Sequence, residues 1–177
     1  MRTHSFSLPL AAGILAALAV ADPAAAATTG TTPVTFEVTG GALSITVPAG
    51  PVDLGSVTAS SSAQTVSASL GNVTVTDGRG GTTGWTVTAS AVDFTGPQNI
   101  SVSAPGSSSY TPGPITTTGT VQATGSVLSP LYPPGTVVTG TGVSGINTAT
   151  WNPTISVTVP GGALIGTYSS TITHDVS

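Results

Sequence analysis

Apolar and polar residues alternate with a period of two along most of this chain. The apolar sets are Val34, Phe36 and Val38; Leu43, Ile45 and Val47; Val66, Ala68 and Leu70; Trp85, Val87, Ala89 and Ala91; Ile100 and Val102; Ile155, Val157 and Val159; and Tyr168, Ile172 and Val176. Ser, Thr and Asp fill many of the intervening positions, so each set predicts a strand with one apolar face and one hydroxyl-rich face. Beyond Ala27 no stretch carries a 3.6-residue period. The pattern predicts an all-β fold, an antiparallel β-sandwich of many short strands.

Turn chemistry separates these runs at Gly40-Gly41, Pro48-Ala49-Gly50-Pro51, Asp77-Gly78-Arg79-Gly80-Gly81 and Pro160-Gly161-Gly162. The last of these is expected to close a hairpin between strands at 155–159 and 167–176. At Gly71-Asn72 the apolar phase slips from even to odd positions, which predicts a bulge or tight turn before Val73 and Val75. Residues 104–120 and 128–136 do not alternate. They are expected to form long Pro/Gly/Ser loops carrying Tyr110 and Tyr132, placed either to bind a ligand or to cover one end of the core.

The first 27 residues read differently. Arg2, an uncharged run over 8–21 (LPLAAGILAALAVA) and small residues at 24–27 have the order of a signal peptide, helical before cleavage, that leaves a single domain over 28–177. The run is shorter than the roughly 20 residues of a spanning helix, so no membrane insertion is expected after cleavage. The mature chain is expected to be secreted and extracellular. Its final residues, Thr173-His174-Asp175-Val176-Ser177, carry no sorting signal or lipidation cysteine, so any surface association is expected to be non-covalent.

Composition narrows the function. Charged residues make up 5% of the chain, the two basic residues are Arg2 and Arg79, and the net charge is −4. Nucleic acid is therefore not an expected partner, because phosphate neutralisation needs several Lys or Arg side chains. Without cysteine there are no disulfides or thiolate metal sites. After the leader, His174 is the only histidine, beside Glu37, Asp53, Asp77, Asp93 and Asp175. Neither a nucleophile elbow nor a zinc or calcium ligand spacing accompanies them, so no enzyme activity and no cofactor is expected.

Particular side chains still stand out. Asp77 and Arg79 flank Gly78, and mutual pairing would fix that turn. Trp85 and Trp151 fall on apolar phases, Trp151 with the 155–159 set. Each suits a core anchor, with stacking on a sugar face as the competing role. His174 is in phase with Tyr168, Ile172 and Val176, which predicts an inward, partly buried position.

Residues 73–94 (VTVTDGRGGTTGWTVTASAVDF) and 151–176 (WNPTISVTVPGGALIGTYSSTITHDV) resemble the two signature regions of the WxL domain family. The first matches a strand, a D-x-R-G turn and G-W-x-L at Asp77, Arg79, Gly80, Gly84 and Trp85, with Val87 in place of Leu. The second matches a proline-terminated strand and G-T-Y at Gly166, Thr167 and Tyr168, while His174 and Val176 replace the final Trp and Leu. The resemblance implies a β-sandwich on the surface of a Gram-positive bacterium, associated non-covalently with the cell wall through peptidoglycan. The alternative expectation is a structural subunit that pairs through strand edges with other surface proteins.

Overall fold

A computed structural model describes residues 28–177; the expected signal peptide and its cleavage site lie outside the described residues. Nine strands follow one another: β1 (Leu43–Thr46), β2 (Gln64–Ser69), β3 (Val73–Asp77), β4 (Trp85–Ala91), β5 (Ser108–Thr111), β6 (Ile115–Gly125), β7 (Gly135–Trp151), β8 (Thr154–Val159) and β9 (Ile172–Val176). No helix occurs among the described residues. The strands form an antiparallel sandwich of a six-stranded and a three-stranded sheet. In the larger sheet β7 is the spine: β3 and β6 flank its residues 147–151, and β4 and β6 flank 138–140. β1 extends the sheet beyond β3, and β9 extends it beyond β4. The smaller sheet runs β2-β8-β5.

Alternation explains most of these strands. Val73, Val75 and Asp77 of β3, Trp85, Val87, Ala89 and Ala91 of β4, and Ile155 and Val157 of β8 all turn into the core, where β-branched side chains suit a pleated surface. On other faces, hydroxyls pair across strands instead of charges. Thr74 meets Thr150 at 3.0 Å, Thr118 meets Thr148 at 2.6 Å, and Ser67 meets Ser156 at 2.9 Å. Such cross-strand pairs each contribute a few tenths of a kcal/mol, roughly 0.2–1 by the usual range.

Several expectations are corrected. Val34, Phe36 and Val38 alternate but form no strand, and they are 88%, 90% and 83% exposed. Ile100 and Val102 enter the core, but only an isolated bridge from Ile100 to Phe94 replaces the expected strand. The expected loop at 104–120 instead holds β5 and the start of β6. Tyr110 is thus a fully buried strand residue, pinned by backbone bonds between Tyr110 and Leu128 in both directions. Pro160-Gly161-Gly162 closes no hairpin: β8 belongs to the three-stranded sheet and β9 pairs with β4 in the other, so this connection passes between layers. Trp151 likewise ends β7 and does not share a strand with Ile155; Asn152 and Pro153 carry the chain from one sheet to the other.

One glycine decides how β4 and β7 meet. Trp85 lies directly opposite Gly140 in the register, and a Cβ at Gly140 would overlap the Trp85 ring atoms Cε2, Cζ2 and Cδ2. Trp85 is 2% exposed, so its ring cannot swing out to solvent without leaving the core. Gly140→Ala should cost about 1–3 kcal/mol as an overpacked core, lowering the melting temperature by roughly 3–10 °C. Gly81→Ala, where a Cβ meets nothing within 4 Å, should leave it unchanged. Equal melting curves for wild type and Gly140→Ala would refute this packing account.

Candidate functional site

Six of the residues singled out in the sequence, Asp77, Arg79, Trp85, Tyr110, Trp151 and His174, fall into two largely buried polar networks, each built on a tryptophan. In the first, β3 ends at Asp77, whose register partner on β7 is Asn147. Arg79 folds back across Gly78: its Nε donates to Asp77 Oδ1 and its Nη2 to Oδ2, both at 2.9 Å. The same Nη2 donates to the carbonyls of Thr83 and Gly84 at 3.0 and 3.1 Å, so the guanidinium spans the loop that leads into Trp85. Asn147 donates to Asp77 Oδ2 at 3.4 Å and accepts the Trp85 indole N–H at 3.2 Å. Hydrogen bonds from the Arg79 side chain are the main reason the Asp77 carboxyl is held down at about 2, against the opposing effect of burial. The sequence reading missed Asn147, which is 1% exposed and joins both halves of the network. Nothing in the local TGVSGINTAT pattern marks it out; only the Asp77–Asn147 register does.

The second network crosses the sandwich. Trp151 at the end of β7 donates its indole N–H to the Tyr110 hydroxyl on β5 at 2.8 Å, and His174 Nε2 on β9 lies 3.1 Å from the same oxygen. The rings of Tyr110 and His174 meet edge-on with centroids 5.5 Å apart. With Trp151 donating to it, the hydroxyl has its own proton free for Nε2, an arrangement that suits a neutral imidazole. Burial pushes His174 down to about 4 and Tyr110 up to about 12. His174 is inward and partly buried as its phase predicts.

Val87 is buried and stands opposite Val176 on β9, so the two valines meet across one strand pair. Tyr168 donates its hydroxyl to the Leu164 carbonyl at 2.7 Å, and its ring packs where a Cβ on Gly96 would sit. Tyr132 is 55% exposed on its proline-rich loop, apart from both networks. Both tryptophans are thus core anchors, each 2% exposed, with no face open to a sugar. No group of three or more His, Asp or Glu suited to a metal ion occurs among the described residues.

One further feature had no signal in the sequence: a mostly apolar cleft of about 1240 Å³ between the sheets, reaching from His174 and Ile172 on β9 to Val66 on β2 and lined also by hydroxyls, Asp53 and Gln64. Residues 47–48, 50–60 and 163–171 border it. Leu54, Val66, Leu70, Phe94 and Ile172 line it and remain only partly buried.

These ionisations set the response to pH. The unfolded chain protonates a histidine near 6.5 while the fold resists until about 4, so folding stability should fall as pH drops through that window. The loss is on the order of 2 kcal/mol, allowing for partial exposure. A second decline should follow between 3.8 and about 2, as the Arg79-bound Asp77 carboxylate is lost. Chemical denaturation across this range should show both phases, and His174→Phe should remove the upper one alone. Persistence of the upper phase in that variant would show that another group causes it.

No protein-family model, no curated protein and no solved structure matches this chain.

Proposed function

We propose that the protein is a non-catalytic structural subunit of an extracellular surface assembly, docking on protein partners through unpaired strand edges. The observation that carries this reading is the 34–38 segment: a strand-patterned run whose three apolar side chains are 83–90% exposed. Surface patches of that kind mark contact sites, since a lone soluble domain gains nothing by wetting them. The edge strand β2, QTVSAS, supports it by carrying neither charge nor proline to discourage pairing. A signal-like leader over the first 27 residues would fit export of such a subunit.

Non-covalent association with peptidoglycan is the second reading. It draws on the resemblance of 73–94 and 151–176 to the WxL family and on Tyr132, an exposed aromatic suited to stacking on a sugar. Trp85 and Trp151, being buried, have no direct part in it.

Native sizing of surface extracts from producing cells, beside co-sedimentation with purified sacculi, separates the two. The assembly reading expects the protein in species well above its own chain mass, with sacculi retaining little of the purified protein. Recovery solely as a free monomer would defeat it, and tight retention on sacculi with loss on Tyr132→Ala would favour the wall reading.

A further inference from the structure

We infer that the segment 32–40 of one copy inserts as an added strand into the apolar cleft of a second copy, along the open edge of β2. This rests on the assembly reading above and names its partner and its site.

The inserted segment, TPVTFEVTG, is complete as a strand in every respect but a neighbour. Pro33 stands at its start, where the missing N–H does least harm, and Gly40 closes it. Val34, Phe36 and Val38 share one face, and Glu37 lies on the other with Thr35. One face can therefore enter an apolar space while the carboxylate stays in water.

The cleft has the complementary features. Its lining is mostly apolar, with partly buried aliphatics and Phe94 beside hydroxyls, Gln64 and His174, and it includes exposed apolar side chains: Leu164 at 55%, Ile165 at 88% and Val57 at 37%. Among the described residues β2 pairs only with β8, so one side of its backbone offers a free ladder. The lengths agree. Residues 34–38 extend about 13 Å at roughly 3.3 Å per residue, within the reach of the six residues of β2. Adding a strand to such an edge gives main-chain hydrogen bonds for affinity, and side-chain pockets at alternate positions for register.

A second copy fits this role better than the chain's own segment. Gly41 donates its N–H to the Gly78 carbonyl at 2.6 Å, and Gly78 returns one to Ala42 at 2.8 Å. These bonds tie the chain to the Asp77–Arg79 turn at the start of β1, whereas the cleft's border begins at Val47, past the end of β1.

The test compares self-association of the exported full-length product with that of Phe36→Asp, by light scattering over a concentration series, with melting temperature as the fold control. Phe36 is 90% exposed in the single copy, so the variant should melt like wild type. Its self-dissociation constant should rise more than tenfold, because one buried aromatic is lost. A synthetic TPVTFEVTG peptide should bind the Phe36→Asp protein and raise its melting temperature; the same peptide with Asp in place of Phe should not. Since the chain has no cysteine, Thr35→Cys mixed with Ser67→Cys should yield a disulfide-linked dimer under oxidation. Wild-type and Phe36→Asp proteins that assemble equally, with no peptide binding, would overturn the insertion while leaving assembly standing. A wild type that stays monomeric at every concentration and ignores the peptide would remove both. A monomer destabilised by Phe36→Asp would mean that the segment fills its own cleft, and would also overturn the two-copy proposal.

Discussion

The hydroxyl of Tyr110 is the point on which the sandwich depends. It sits between the sheets, takes the indole proton of Trp151 from the larger sheet and faces His174 on the same sheet, while its own strand belongs to the smaller one. A buried indole N–H left without an acceptor would cost about 1–3 kcal/mol, so the tryptophan can fill the core only where this hydroxyl reaches it. The same bond fixes how the two layers are placed. Interdigitated Val, Ile and Leu side chains already resist sliding of the sheets; the shared hydrogen bond at a single oxygen adds a directional constraint. The protein contains no disulfide that would otherwise fix this placement.

The other tryptophan obeys the same rule with different chemistry. Trp85 needs an acceptor and finds Asn147, which in turn needs its amide protons satisfied and finds Asp77, whose charge is balanced by Arg79. The one salt bridge among the described residues is therefore the end of a chain of requirements that begins with an indole. Its value lies less in Coulombic attraction, which a partly exposed arginine screens, than in holding the loop over which the chain enters β4. No buried side-chain polar atom among the described residues lacks a partner. That complete satisfaction is what lets a protein with so few charges bury an aspartate and an asparagine.

Much of this was legible from alternation. The strands β1 to β4, β8 and β9 were each marked by period two, and the inward phases of Trp85, Val87 and His174 followed directly. The long β6–β7 ribbon was not, for a physical reason. Where β4 meets β7 the register shifts between Val87 and Thr88, so the adjacent residues Val137 and Val138 are both buried, and a bulge of this kind erases the alternation that a sequence reading relies on. Glycines at 119, 142 and 145 with positive φ interrupt the pattern again along the same ribbon. Tyr110 carries the sequence signature of a loop because Pro105, Pro112 and Pro114 flank its short strand. Pro160-Gly161-Gly162 correctly marked an end of β8, yet turn residues specify a change of direction and carry no information about which sheet receives the next strand. The Asp77–Arg79 pair was visible as neighbours in sequence; Asn147, about seventy positions away by the contact's own separation, was visible only through register.

The two edges of the smaller sheet are treated differently, and the difference bears on the proposed insertion between copies. At β5 the outer edge is occupied: Leu128 exchanges two backbone bonds with Tyr110, and Pro112 and Pro130 lie close by in sequence. At β2 the flanking contact is a side-chain bond from Gln64 to the Thr58 carbonyl, and the backbone edge itself has no paired strand among the described residues. With 5% charged residues the chain has few ionic means of repelling an incoming strand. A sheet closed at one edge and open at the other accepts a partner from one side only. A segment that docks there comes from a different surface than the one that receives it, so the contact is heterologous rather than two-fold symmetric. Under the proposed insertion, each added copy would present a fresh segment or a fresh cleft, and growth would be open-ended unless the rotation between neighbours closes a ring.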